Sequence, residues 1–235
     1  MLFEAIQFGS LVYHRLESYG KFYDDYLSNR NGRLWQDERK LNMSEIKLLI
    51  QFLNQWGTHY RSTPEQLLGA LVEAFPLLNC LKGRDFVDLD FEAKVEPHFS
   101  VAQAIASVFD TIARCGPRYE STGTGKILHT INPQLFVMWD SNIAHGYGLG
   151  SGNNDDCAGR YANRFLPRMQ RLLRHALKER TQQTGESREQ VLRALCECGH
   201  TLPKVLDEFN YVKFTLQIDE VWDLEFDTRE DGISI

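Results

Sequence analysis

No apolar run in these 235 residues approaches the roughly 20 needed to cross a bilayer as a helix. A helical membrane protein is therefore excluded. The start also lacks a charged region followed by an apolar core; Met1 to Phe8 reads as the beginning of an amphipathic helix. Cysteine is sparse and odd in number, with residues 80, 115, 157, 196 and 198. Such a count without a secretory leader leads us to expect a cytoplasmic chain with reduced thiols. Basic charge is in deficit: 26 Lys and Arg stand against 32 Asp and Glu, for a net charge of -6. That balance argues against a surface coated throughout for phosphate, although local distribution counts for more than the sum. Internal repeats and low-complexity tracts are absent, so a solenoid is excluded.

What is present suits a folded domain. Hydrophobic residues make up 43% and charged residues 25%, ordinary values for a chain that buries a core. The charges are unevenly placed. Asp219 to Ile235 forms an acidic C-terminal tail, whereas Arg160 to Arg180 is strongly basic.

The hydrophobic period is helical almost throughout. Leu11, Val12, Leu16, Tyr19, Phe22, Tyr23 and Tyr26 recur at helical spacing, up to a turn at Asn29-Arg30-Asn31-Gly32. Ser44 is placed to cap a helix carrying Ile46, Leu49, Leu53 and Trp56. Thr63-Pro64-Glu65-Gln66 combines a cap, a first-turn proline and a capping box, for a helix to about Phe75. Ser100 with Gln103 repeats the box, and Gly116-Pro117 closes that helix. Val87, Leu89 and Phe91 alternate with Asp88 and Asp90, the pattern of a minor extended piece. Further on, Asp155 or Asp156 caps a long helix to about Arg180, and a polar linker spans Thr181 to Glu186. A helix then ends near Cys198-Gly199, and Thr201-Leu202-Pro203 begins the last strong one. The expected class is all-α with at most a minor extended segment, folded as a single helical unit over 1–235.

Chemistry concentrates between Ser121 and Ile143. Ser121-Thr122-Gly123-Thr124-Gly125-Lys126 superficially resembles a nucleotide P-loop, but Glu120 replaces its first glycine, and Ile127 replaces the magnesium-binding hydroxyl. The alternative is a tight Gly-x-Gly hairpin between two helices, in which Gly123, Thr124 and Gly125 bring backbone N–H groups to a phosphate and Lys126 opens a helix from Lys126 to Ile131. The apolar run Leu135-Phe136-Val137-Met138-Trp139 then leads to Asp140-Ser141-Asn142-Ile143, with Asp140 as helix cap.

This order resembles the helix-hairpin-helix DNA glycosylase superfamily, whose members carry a Gly-x-Gly hairpin, a Lys in bifunctional enzymes, an apolar stretch and an Asp before Ser or Thr. Gly123, Gly125, Lys126, Asp140, Ser141 and Ile143 follow that order. The resemblance implies a two-lobed helical bundle, with the hairpin and catalytic segment within 100–145. It implies excision of a damaged or modified base from double-stranded DNA, Asp140 stabilising the cationic sugar and Lys126 serving as nucleophile or phosphate anchor. Lyase activity would accompany an attacking Lys126. The four-cysteine cluster of one branch is missing, so no iron–sulfur cluster or other cofactor is implied. Because features of the housekeeping branches are absent, the expectation extends from DNA repair to antiviral defence, with a modified base of phage or foreign DNA as substrate.

A flipped base needs aromatic and polar walls. Trp56, His59, Tyr60, His129, Trp139, Asn142, His145 and Tyr147 are the candidates. Arg160, Arg164, Arg168 and Arg171 recur at helical spacing, with Arg174 and Lys178 nearby, either as a solvated face or as phosphate contacts. Cys196-x-Cys198-x-His200 matches no common zinc spacing, and no metal is expected. The chain is expected to act as a monomer on DNA. Two other readings stay open: a non-catalytic helical nucleic-acid-binding module, and a nucleotide-binding enzyme with a degenerate P-loop.

Overall fold

Helices begin where short polar side chains stand ready to accept the unpaired N–H groups of a first turn. In a computed structural model, which describes residues 1–17, 19–30, 41–150, 156–197 and 199–218, Thr63 accepts from the Gln66 N–H and Gln66 returns a bond to the Thr63 N–H, opening α4 (Pro64–Cys80). Ser100 and Gln103 do the same for α5 (Val101–Ala113), and Ser187 and Gln190 for α10 (Arg188–Leu195). Each such cap contributes about 1 kcal/mol. Asn42, not Ser44, caps α3 (Met43–Gln55), because its side chain reaches the Glu45 N–H from outside the first turn.

The remaining helices are α1 (Leu2–Leu16), α2 (Tyr19–Arg30), α6 (Ser121–Ile131), α7 (Ser141–Gly146), α8 (Cys157–Arg160), α9 (Leu166–Thr184) and α11 (Leu202–Asn210). A π-helical turn, Tyr161–Phe165, joins α8 to α9 without a break, and another, Tyr211–Thr215, extends α11. The expected linker at Thr181 to Glu186 is mostly helix. Gly185 ends α9 in the left-handed region with φ of 72°, a conformation glycine adopts without steric cost. Similarly, α10 stops at Leu195, before Cys196.

The protein is mostly helical, as its periodicity predicts. The extended piece is displaced from its expected place. Two short antiparallel strands, β1 (Lys94–Glu96) and β2 (Phe99–Ser100), pair Lys94 with Ser100. Residues Val87 to Phe91 do not join them. There the backbone is tied by side chains instead: Gln170 donates to the carbonyls of Phe86 and Leu89, and Arg174 to that of Val87.

One continuous core links the elements. Helix α5 lies at its centre, with Val101, Ile105, Val108, Phe109 and Ile112 fully buried, packed by α4, α6 and α8. Helix α1 packs along α11 and reaches α9. The run Leu135–Trp139 passes through the core, anchored where Tyr161 donates to the Val137 carbonyl at 2.7 Å. Among the described residues, no helix is long and apolar enough to cross a membrane. The acidic stretch 219–235, Asp155 and Cys198 lie outside the described residues.

Candidate functional site

The Gly-x-Gly segment is not a hairpin. Helix α6 starts at Ser121, so Gly123, Thr124 and Gly125 sit inside it and are buried. Their absent side chains serve packing. A Cβ on Gly123 would lie 2.5 Å from the Tyr60 ring, and one on Gly125 would lie 3.3 Å from Trp139. Gly123, Thr124 and Gly125 are buried within the helix, with Tyr60 and Trp139 close against the two glycines, so they form no surface loop for a DNA phosphate. The P-loop reading fails as well, since the chain enters α6 from the 114–120 connection and not from a strand.

The placement of Gly125 against Trp139 has a consequence for the charged residues that follow each. It brings the start of α7 beside α6. Asp140 caps α7, its Oδ1 accepting the Ile143 N–H at 2.8 Å, while Thr215 at the end of the second π-helical turn lies 3.4 Å from Oδ2. Lys126 is largely buried. Its amine donates to the Trp56 carbonyl at 2.8 Å and stands 4.8 Å from the centre of the Trp56 ring. Burial lowers the amine's pKa to about 8, opposed by the carboxylates of Asp207 and Asp140 and assisted by the Lys204 ammonium. Lys126 and Asp140 are thus electrostatic neighbours.

The proposed base-pocket residues divide into two groups. Trp56 and Trp139 are core side chains, 5% and 2% exposed. Trp56 packs on Tyr23 and Phe52, and Trp139 on Phe109, Tyr161 and Phe165. Tyr60 and Tyr147 are also buried, and Tyr147 donates to Asn210 Oδ1. His129 is wholly enclosed. Its Nδ1 donates to the Phe136 carbonyl at 2.6 Å, so Nε2 accepts from the Tyr23 hydroxyl at 2.7 Å. Burial drives its pKa down to about 3, so the ring is neutral. None of these five has a face open to a base as the chain stands. By contrast, His59, Asn142 and His145 are exposed.

The basic stripe also divides. Arg160 donates to the Leu149 carbonyl at 2.6 Å, and Arg168 to the Tyr147 carbonyl at 3.1 Å with its guanidinium over the Tyr147 ring. Both hold the segment after α7 against the long helix. Arg164, Arg171, Arg174 and Lys178 are exposed.

A buried cluster of charged side chains on α11 lies beside these residues and is absent from the sequence-based expectations. Residues Pro203 to Asn210 of α11 are all buried, charges included. Lys204 is completely enclosed, 2.9 Å from Asp207 and 3.4 Å from Glu208. The rings of Tyr13, Tyr23 and Trp56 surround its ammonium at 4.3, 5.3 and 5.6 Å. Burial alone would discharge Lys204, but Asp207 and Glu208 outweigh it and hold the amine protonated. Burial raises the carboxyl of Asp207. Glu208 is pushed up by burial but held at about 2, chiefly by Lys204 and His200. His200 places Nδ1 at 2.7 Å from Glu208 and Nε2 at 2.9 Å from Asp24 on α2. No signal in the sequence pointed to this cluster: Lys204, Asp207 and Glu208 share one face of the helix opposite Val205, Leu206 and Phe209, the pattern of an ordinary solvated amphipathic helix, and only tertiary packing buries the charged face. Trp56 connects the two parts of the site: its carbonyl holds Lys126 and its ring faces Lys204.

Comparison with known protein families, with curated proteins and with solved structures finds no match to this chain.

Proposed function

We propose that this chain is a DNA glycosylase that flips a damaged or modified base out of double-stranded DNA and cleaves its glycosidic bond, Lys126 acting as an amine nucleophile. The observation that carries this reading is the Lys126 amine, lowered to about 8 by burial and neighbour to the Asp140 carboxylate. An ammonium has no lone pair, so an attacking lysine must be held near neutrality at working pH. The amine attacks C1′ of the sugar, and the C1′–N bond breaks with its electron pair leaving on the base, which takes up a proton. The amine gives up a proton, and the C1′–O4′ bond then breaks with its electron pair leaving on O4′, which takes up a proton from water, so that an iminium remains between Lys126 and C1′. Asp140 stabilises the cationic sugar through its negative charge in a partly desolvated position.

Support for the partner comes from the exposed Arg164, Arg171 and Lys178, a stripe suited to phosphates despite the acidic total. Asn142 and His145 stand exposed on α7 directly after Asp140, which supports a role for them as the polar groups that read the base.

The test is incubation with duplexes carrying a panel of modified bases, phage modifications included, in the presence of borohydride. Free base is expected in solution, with a covalent protein–DNA adduct. Asp140→Asn should abolish both while DNA binding persists. Base release without an adduct would reduce Lys126 to an electrostatic role. Failure to release any base from the panel, with undiminished binding, would favour a non-catalytic DNA-binding module.

A further inference from the structure

We propose that His14, His200 and Glu208 form a binding site for one divalent transition-metal ion of the zinc type, joining α1 to α11, with Asp24 on α2 as its outer partner. The ligand atoms of the three residues lie within 4.8 Å of one another. His14 Nε2 is 3.7 Å from one oxygen of Glu208, and His200 Nδ1 is 2.7 Å from the other. Ligands at about 2.0–2.2 Å around a tetrahedral ion stand roughly 3.3 Å apart, so closure needs a shift of up to about 1.5 Å at the widest pair, a movement available to the partly exposed His14 side chain.

The surrounding bonds are those a metal site requires. A ligating imidazole usually donates its second N–H to a carboxylate, which fixes the ring. His200 Nε2 already faces Asp24 Oδ1 at 2.9 Å. A ligating carboxylate is itself hydrogen-bonded, and Ser10 donates to Glu208 at 2.5 Å. Three carboxylates, Asp24, Asp207 and Glu208, lie about this cluster; Lys204 and the His200 ring answer them, Lys204 standing closer to Asp207 than to Glu208, and Lys126 acts on Asp207 from further off. Without metal, both ring nitrogens of His200 face carboxylate oxygens, so each carries a proton. A metal ion takes the place of the Nδ1 proton, which is released on binding. His14 is 29% exposed, giving the ion an entry route and space for a water as fourth ligand. Two imidazoles with one carboxylate select a borderline ion over magnesium or calcium.

The experiment titrates Co²⁺ into the full chain after chelator dialysis and follows its visible d–d absorption. One equivalent should bind, show no thiolate charge-transfer band, be displaced by Zn²⁺, and raise the melting temperature. His14→Ala should raise the dissociation constant at least about tenfold, with Asp24→Asn about tenfold weaker than the original. His14→Ala should itself fold, since Glu208 keeps Ser10, His200 and Lys204; its circular dichroism and melting curve without metal verify this. No uptake by the unaltered chain, equal uptake by His14→Ala, or a thiolate band placing Co²⁺ on cysteine would each overturn the site.

Discussion

A buried ammonium is tolerable only while its carboxylates remain, and the converse holds for Asp207 and Glu208. Lys204→Met would leave both acids in the core without their cation, at a cost of about 3–5 kcal/mol, read as a lowered midpoint in urea denaturation. Lys126 should behave oppositely. Its amine is shifted down from 10.5 to about 8, so the folded chain holds that proton less firmly than the unfolded chain. Stability from this group therefore increases as pH rises from about 8 to about 10.5, and below about 8 its burial is a constant cost. Lys126→Met is expected to leave the melting temperature at neutral pH unchanged or raised, while eliminating the borohydride adduct. The rate of adduct formation in the unaltered chain should rise with pH and level off above about 8. A rate falling across that range would contradict an attacking amine. Asp140 was readable as both cap and candidate acid from its place after an apolar run. The neutral state of His129 was not, because it depends on Tyr23 and the Phe136 carbonyl.

Helix boundaries at this level follow local chemistry. The capping boxes at Thr63 and Ser100 and the caps at Asp140 and Thr201 lie where short-range spacing places them, because a cap reaches only two or three residues. Gly123 and Gly125 show the limit of such reasoning. Glycine signals a turn by its backbone freedom, but in α6 it signals close approach of Tyr60 and Trp139, which a sequence does not reveal. A paired substitution separates the two meanings. Gly123→Ala forces a methyl into the Tyr60 ring and should destabilise by about 1–3 kcal/mol. Gly69→Ala, in α4 with nothing within 4 Å of the new Cβ, should stabilise by about 0.5–1 kcal/mol. A stabilising Gly123→Ala, measured by thermal or urea unfolding, would contradict the packing described.

For the molecule as a whole, an acidic total coexists with an exposed basic face on α9 and the π-helical turn before it. If that face meets DNA, Arg164→Glu with Arg171→Glu should weaken binding to any duplex and reduce the slope of log K against log salt by roughly 2, since each lost phosphate contact removes about 0.9. An unchanged slope would mean the arginines are a solvated face. The sequence by itself determined the helical class, most caps, the basic stripe and the order of Lys126 and Asp140, because periodicity and capping are short-range effects written in adjacent residues. Tertiary structure alone decided that Gly123 and Gly125 are packing contacts, that Arg160 and Arg168 secure backbone carbonyls, and that Trp56 links Lys126 to an enclosed cluster of Lys204, Asp207, Glu208 and His200. The physical reason is burial. Whether a charge, ring or glycine faces water, and so what its pKa and role become, depends on elements more than a hundred residues away in the chain, as with Asp24 on His200 and Ser10 on Glu208.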